Sequence, residues 1–188
     1  LTYGTIYFNM QYQNDSSAAQ GEIFQHQWIQ YYDQLPAQHG VWQGVDLAIS
    51  QKSSADYFAI VTIAVDAERN IYVMNYYRGR LSFQQQIDTI VNKDNAFNPI
   101  RVAVESNAFQ LSVANTLKQT SDVPVYPVHT ATDKISRAQK LSAKFENRKM
   151  FFRREHGELI EELCQFPNGK HDDLFDALEI AVTVACER

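Results

Sequence analysis

The chain has 188 residues, 45% of them hydrophobic and 12% aromatic, and a net charge of −5. That is enough apolar material for one packed domain, and the acidic balance argues against a simple nucleic-acid coat. No apolar run reaches the roughly eighteen residues that a membrane-spanning helix needs, so no membrane partner is expected. The chain opens on Leu1 and reads as a portion of something longer. Cys164 and Cys186 sit in apolar helical patterns and read as thiols of a reducing compartment rather than a disulfide or a metal pair.

Residues 1–40 are rich in Gln, Asn and Tyr and read as an arm or linker. A short helix is expected from Ile23 to Leu35, ended by Pro36 and Gly40, and aromatics such as Phe24, Trp28 and Tyr32 suggest that the arm packs on something. Trp42–Ala48 is the first expected strand, with Val45 and Leu47 on one face and Gly44 and Asp46 on the other. A polar loop at 50–56 leads to strands at Phe58–Val65 and Ile71–Tyr77, close enough in sequence to form an antiparallel meander. Ser82, with Gln85 three residues on, opens a helix to about Asn92 as a capping box. Arg101–Ser106 is a strand apolar enough to be covered on both faces. A helix at Ala108–Gln119, a strand at Pro124–Val128, a helix from Asp133 to about Arg148, a short extended Met150–Arg153 and a helix at Gly157–Gln165 follow. The last helix spans 174–186, with Leu174, Leu178, Ala181, Val182 and Ala185 on one face.

Three meander strands followed by βα units predict a mixed sheet of five or more strands with helices on both faces. This is the element order of the ribonuclease H-like α/β fold, in which the first and fourth of these strands lie side by side. Asp46 would then stand next to Glu105, and the last helix would cross near both. Each is a carboxylate in a largely apolar strand, where burial without a partner is costly. A salt bridge is the plain alternative, and Arg101 could serve Glu105. Where the last helix begins, Asp172, Asp173 and Asp176 follow His171. One Asp suffices to cap a helix; three, beside two further carboxylates, repel one another unless a cation intervenes. All-oxygen ligation favours Mg²⁺ or Mn²⁺ over Zn²⁺. Such a site holds two ions about 4 Å apart, one activating a water and one stabilising the leaving 3′ oxygen, with Asp46 bridging. His171 is an exposed loop residue, an orienter of these groups or a ligand.

Eight of the seventeen Lys and Arg residues fall between Lys134 and Arg154, opposed only by Glu146. After Lys134, a helix would place Arg137, Lys140, Lys144 and Arg148 in one stripe beside the apolar Ile135, Ala138, Leu141 and Phe145. A solvated helix face is the plain reading. A stripe free of acids in an acidic protein suits a phosphate track, on an element separate from the carboxylates and with weak sequence preference.

Together these stretches resemble the C-terminal nuclease domain of the large terminase subunit of tailed bacteriophages. The matching segments are Gly44-Val45-Asp46-Leu47-Ala48, Ser54 to Ile60, Val102-Ala103-Val104-Glu105-Ser106-Asn107, Lys134-Ile135-Ser136-Arg137-Ala138 and His171 to Leu178. The resemblance covers residues 41–188, and residues 1–40 resemble the connector from the packaging ATPase. It implies a Mg²⁺- or Mn²⁺-dependent endonuclease that cuts concatemeric double-stranded DNA during headful packaging, in the host cytoplasm. By motif position Asp46, Glu105, Asp172 and Asp173 carry over as catalytic metal ligands, with Asp176 a further candidate. It also implies an ATPase domain, a small terminase subunit and a portal as partners of the whole subunit. The ATPase loop Gly-x-x-x-x-Gly-Lys-Ser/Thr is absent from this chain, so the resemblance is to the nuclease portion. Junction resolvases, transposases and ribonuclease H share the carboxylates, and an idle DNA clamp is a further alternative. Sugar kinases and actin-like proteins hold phosphate on glycine turns after their first Asp, where this chain has Leu47-Ala48-Ile49-Ser50.

Overall fold

Strands covered on both faces build the centre of the molecule, and every residue of Phe58–Val65 is buried. The computed structural model describes residues 23–48, 57–105 and 108–187. Among these, β2 (Gly40–Asp46), β3 (Phe58–Val65) and β4 (Ile71–Gly79) form the expected antiparallel meander. β5 (Arg101–Glu105) and β6 (Val125–Val128) add on in parallel beside β2. Two short strands, β1 (Gln30–Tyr31) and β7 (Met150–Phe152), extend the far edge, giving a seven-stranded mixed sheet in the order β1-β7-β4-β3-β2-β5-β6.

One face of the sheet packs Val45, Leu47, Val102 and Val104 against helices α1 (Phe83–Phe97) and α2 (Ala108–Thr120), through Ile87, Ile90, Val113 and Leu117. The other face, through Ala59, Val61 and Ile63, receives α3 (Lys134–Glu146), α4 (Gly157–Gln165) and α5 (Asp173–Cys186). α5 is apolar nearly all round, as a core helix must be, and lies across β2, β3 and β5. Gly44 is what lets it lie so close. A Cβ at that position would stand 2.1 Å from the Ala177 carbonyl oxygen and 2.5 Å from the Ala181 nitrogen.

Three expected boundaries shift. The helix foreseen from Ile23 to Leu35 is instead a single 3-10 turn at His26–Trp28 followed by β1. Ile23 and Phe24 are buried in the main core, and the Tyr32 amide donates to the Phe152 carbonyl at 3.0 Å. Strand pairing across the fold thus outweighs a weak local helical preference, and from residue 23 on this segment is woven into the domain rather than set apart. α1 keeps its Ser82–Gln85 capping box but runs on to Phe97, where Asn98 turns left-handed at φ 46°. α3 stops at Glu146; Arg148 lies beyond it at φ 54° and does not continue the basic stripe. Neither cysteine forms a disulfide. Among the described residues no helix is long and apolar enough to cross a membrane. The polar loop at 50–56, residues 1–22 of the expected arm, Ser106 and Asn107 fall outside the described residues.

Candidate active site

Alternation along β2 turns Gly44 and Asp46 toward α5 and sends Val45 into the opposite core. Parallel pairing sets Gly44 opposite Ala103 and Val45 opposite Val104. Carried one residue on, this register brings Asp46 beside Glu105, the last residue of β5. α5 begins over the same end of the sheet. The charges of Asp173 and Asp176 act directly on Asp46, with a smaller contribution from Glu105.

The tip of α5 is not capped by its own aspartates. Asp172 occupies the N-cap position, yet its side chain makes no capping bond. Glu162 of α4 caps the helix from outside: its Oε1 accepts the backbone N–H groups of Leu174 and Phe175 at 2.8 and 3.0 Å. Arg78 of β4 donates to the other oxygen at 2.6 Å. Sequence reading passed over both residues. The available signal was Glu162 itself, an acid three residues after Leu159 on the apolar face of a helix.

The start of α3 also faces the acids. The Lys134 ammonium donates to Asp172 and, at 2.6 Å, pairs with Asp176. Arg137 donates to Glu179 at 2.7 Å and to Asp176 at 3.3 Å. Lys134 and Arg137 are therefore counter-ions of α5, which corrects the expectation of a basic stripe independent of the carboxylates. Lys140 and Lys144 remain on the groove between α3 and α5, with Leu141, Val182 and Thr183; Arg148 is exposed beyond the helix. His171 is 41% exposed, its Nδ1 3.8 Å from Asp173, and its ring stands edge-on to Tyr57 at 5.1 Å.

Burial, then the charges of Asp176 and Asp173, hold the Asp46 carboxyl well above the ordinary carboxylate range, against a smaller pull from Lys134. Burial and the neighbouring Asp172 raise Asp173. Burial also raises Asp176, outweighing Lys134 and Arg137. Burial works against the charge on Lys134, but its bonds to Asp172 and Asp176 prevail and raise it. Acids from β2, β5 and α5 thus crowd one end of the sheet around a single lysine ammonium. Among the described residues no three His, Cys, Asp or Glu side chains already converge as a ready ligand set; Asp172 and Asp176 are turned onto Lys134 instead.

This crowding has a pH signature. A carboxyl whose folded pKa is raised holds its proton in the folded chain after the unfolded chain has released it. Its contribution to stability is present below the unfolded value and lost as pH rises through the folded one. The window runs upward from about pH 4, the ordinary Asp value. Asp46→Asn, a permanently neutral stand-in, should therefore melt above the parent in EDTA at neutral pH, with the advantage shrinking toward pH 4. Melting curves of both proteins across that range check it; an advantage that grows on acidification would contradict the crowding.

The sheet order and the carboxylates at the ends of β2 and β5 and the tip of the helix crossing them define a ribonuclease H-like domain. The description terminase RNaseH-like domain applies to the family model that matches residues 43–183, and the chain belongs to that family. The large terminase nuclease of thermophilic phage G20c, solved with bound zinc, is 14% identical and superposes with a TM-score of 0.63, covering 82% of this chain and 92% of that one. The same nuclease with bound magnesium gives 12% identity and a TM-score of 0.64, covering 87% and 97%. The large terminase of a second thermophilic bacteriophage is 10% identical with a TM-score of 0.64, covering 86% of this chain but 44% of that one. No curated protein sequence matches the chain.

Proposed function

We propose that this chain is a divalent-cation-dependent DNA endonuclease that cuts concatemeric viral DNA during genome packaging. The observation that carries the reading is the gathering of carboxylates at one end of the sheet: Asp46 beside Glu105 on adjacent strands, with Asp173 and Asp176 of α5 close enough for their charges to hold the half-buried Asp46 carboxyl above its ordinary range. The donor chemistry suits a hard divalent cation, being all carboxylate oxygen, and Lys134 already sets a positive charge among those oxygens. The metal-bound forms of the G20c nuclease support the same reading.

Asp46, Glu105 and Asp173 would hold two Mg²⁺ or Mn²⁺ ions, with Asp172 and Asp176 available once the Lys134 ammonium moves aside. Bound there, such ions lower the pKa of a water and withdraw charge from the scissile phosphate. The protein's part is positional. Adjacent strands hold Asp46 and Glu105, α5 brings Asp173 over them, and the Arg137 bridge to Asp176 and Glu179 ties α3 to α5. His171 stands near enough to Asp173 to orient it.

In this reading the segment before residue 41, packed onto the nuclease unit from residue 23 on, leads from a packaging ATPase domain. The terminase of the second phage, of which this chain spans less than half, fits that division. Double-stranded DNA is the substrate, with a small terminase subunit and a portal as partners of the whole assembly in the host cytoplasm. Plasmid nicking in Mn²⁺ and in EDTA tests the activity. Nicking only with metal supports it, whereas duplex binding without nicking under either condition would make the chain a clamp.

The DNA path narrows to Lys140 and Lys144, because Arg137 is tied to Asp176 and Glu179. Replacing both lysines with Glu should weaken binding to any duplex and lower the slope of log affinity against log salt by about two, nearly one per lost phosphate contact. A salt titration of parent and variant against one labelled duplex checks this; superimposable lines would remove α3 from the DNA path.

A further inference from the structure

We infer that Glu162 is a positioning residue of the proposed metal site: by capping α5 from outside, it releases Asp172 from capping and leaves its carboxylate, beside that of Asp173, for a cation. The inference rests on the function proposed above and adds a residue to it. The first turn of a helix has N–H groups without helical partners. An Asp at the N-cap ordinarily accepts from the second and third of them. In α5 those are the N–H groups of Leu174 and Phe175, and both go to Glu162 Oε1. Asp172, in the capping position, is instead turned to Lys134.

Glu162 is locked in this task. Its side chain is 5% exposed, and Arg78 binds its second oxygen. Arg78 is itself held by Glu158 and lies over the Tyr57 ring at 5.3 Å, and that ring meets His171. A carboxylate also suits the positive end of the helix dipole. Three donors on its two oxygens engage Glu162 in this cap. Without it, the N-cap residue Asp172 is the acceptor placed to take the orphaned N–H groups, and a capping Asp172 would turn in to the first turn of the helix and away from Lys134.

Two variants test the idea. Glu162→Ala removes the cap. Arg78→Ala with Glu162→Gln keeps a capping amide oxygen and lets its NH₂ face the groove of about 540 Å³ that Arg78 and Glu162 line. Calorimetric titration with Mn²⁺ should show about tenfold weaker binding for Glu162→Ala, the usual loss when a group that orients a ligand is removed. The double variant should stay within about threefold of the parent. A folded Glu162→Ala with parental Mn²⁺ affinity, or a double variant as weak as it, would overturn the inference. If Glu162→Ala does not fold, a double variant about tenfold or more weaker than the parent overturns the inference, and one within about threefold supports it.

A metal-free readout separates this inference from the function it rests on. In EDTA, Asp172→Ala should leave amide-exchange protection at residues 173–176 unchanged in the parent and reduce it in the Glu162→Ala background, where Asp172 has become the cap. Equal effects in both backgrounds would sink the capping exchange. A parent that binds no Mn²⁺ would sink the metal site and leave this comparison to decide the capping.

Discussion

Asp46→Asn is expected to lose metal-dependent nicking by at least about 10³-fold, since several kcal/mol of charge stabilisation depend on the cations and each 1.36 kcal/mol is tenfold. The fold should survive, because the substitution keeps the shape of the side chain and removes a charge that burial and Asp176 already oppose. Loss of cutting together with a melting temperature at or above the parent's, in EDTA at neutral pH, is thus the combined signature. A folded Asp46→Asn that still cuts at near-parental rate in Mn²⁺ would refute the site. Glu105→Gln should be comparably severe. Asp173→Ala should cost more activity than Asp176→Ala, because Asp176 is engaged by Lys134 and Arg137 while Asp173 lies 3.8 Å from His171.

Gly44→Ala is expected to be the most damaging added methyl among the described glycines. The added Cβ would fall 2.1 Å from the Ala177 carbonyl oxygen and 2.5 Å from the Ala181 nitrogen, both backbone atoms of α5 that no rotamer change can move. The strand and the helix must part. Overpacking typically costs about 1–3 kcal/mol, and a backbone clash this close belongs at or beyond the upper end. For a chain of this size that is a fall in melting temperature of roughly 6–12 °C. Because the same displacement carries Asp173 and Asp176 away from Asp46, Mn²⁺ affinity should fall with stability. A thermal melt and a Mn²⁺ titration check both, and an unchanged melting temperature would mean that α5 does not lie as closely on β2 as described.

Much of the fold was legible because it is written in local periods. Alternation in β2 told which face Asp46 shares with Gly44, and short connections between β2, β3 and β4 left little choice but a meander. The element order is that of the ribonuclease H-like fold, in which the first and fourth strands are neighbours, and this is what set Asp46 beside Glu105. The helix after His171 was apolar on enough positions to require burial, and its acidic tip had to meet the sheet somewhere.

What the sequence alone could not decide was where charged side chains turn once helices dock. A helical stripe shows which basic residues share a face, but both flanks of an amphipathic helix border its apolar face. Only the docking of α3 beside α5 separates Lys134 and Arg137, which meet Asp172, Asp176 and Glu179, from Lys140 and Lys144, which lie along the groove. The cap on α5 comes from a residue twelve positions upstream on another helix, and no local capping pattern can show that. The pairing of β1 with β7 joins residues more than a hundred positions apart, and so replaces the helix that the local sequence suggested. By itself the sequence determined the order of the elements and the faces of the strands, because those follow from the chain's own periodicity. The tertiary structure decided which charges meet, because that depends on contacts between elements far apart along the chain.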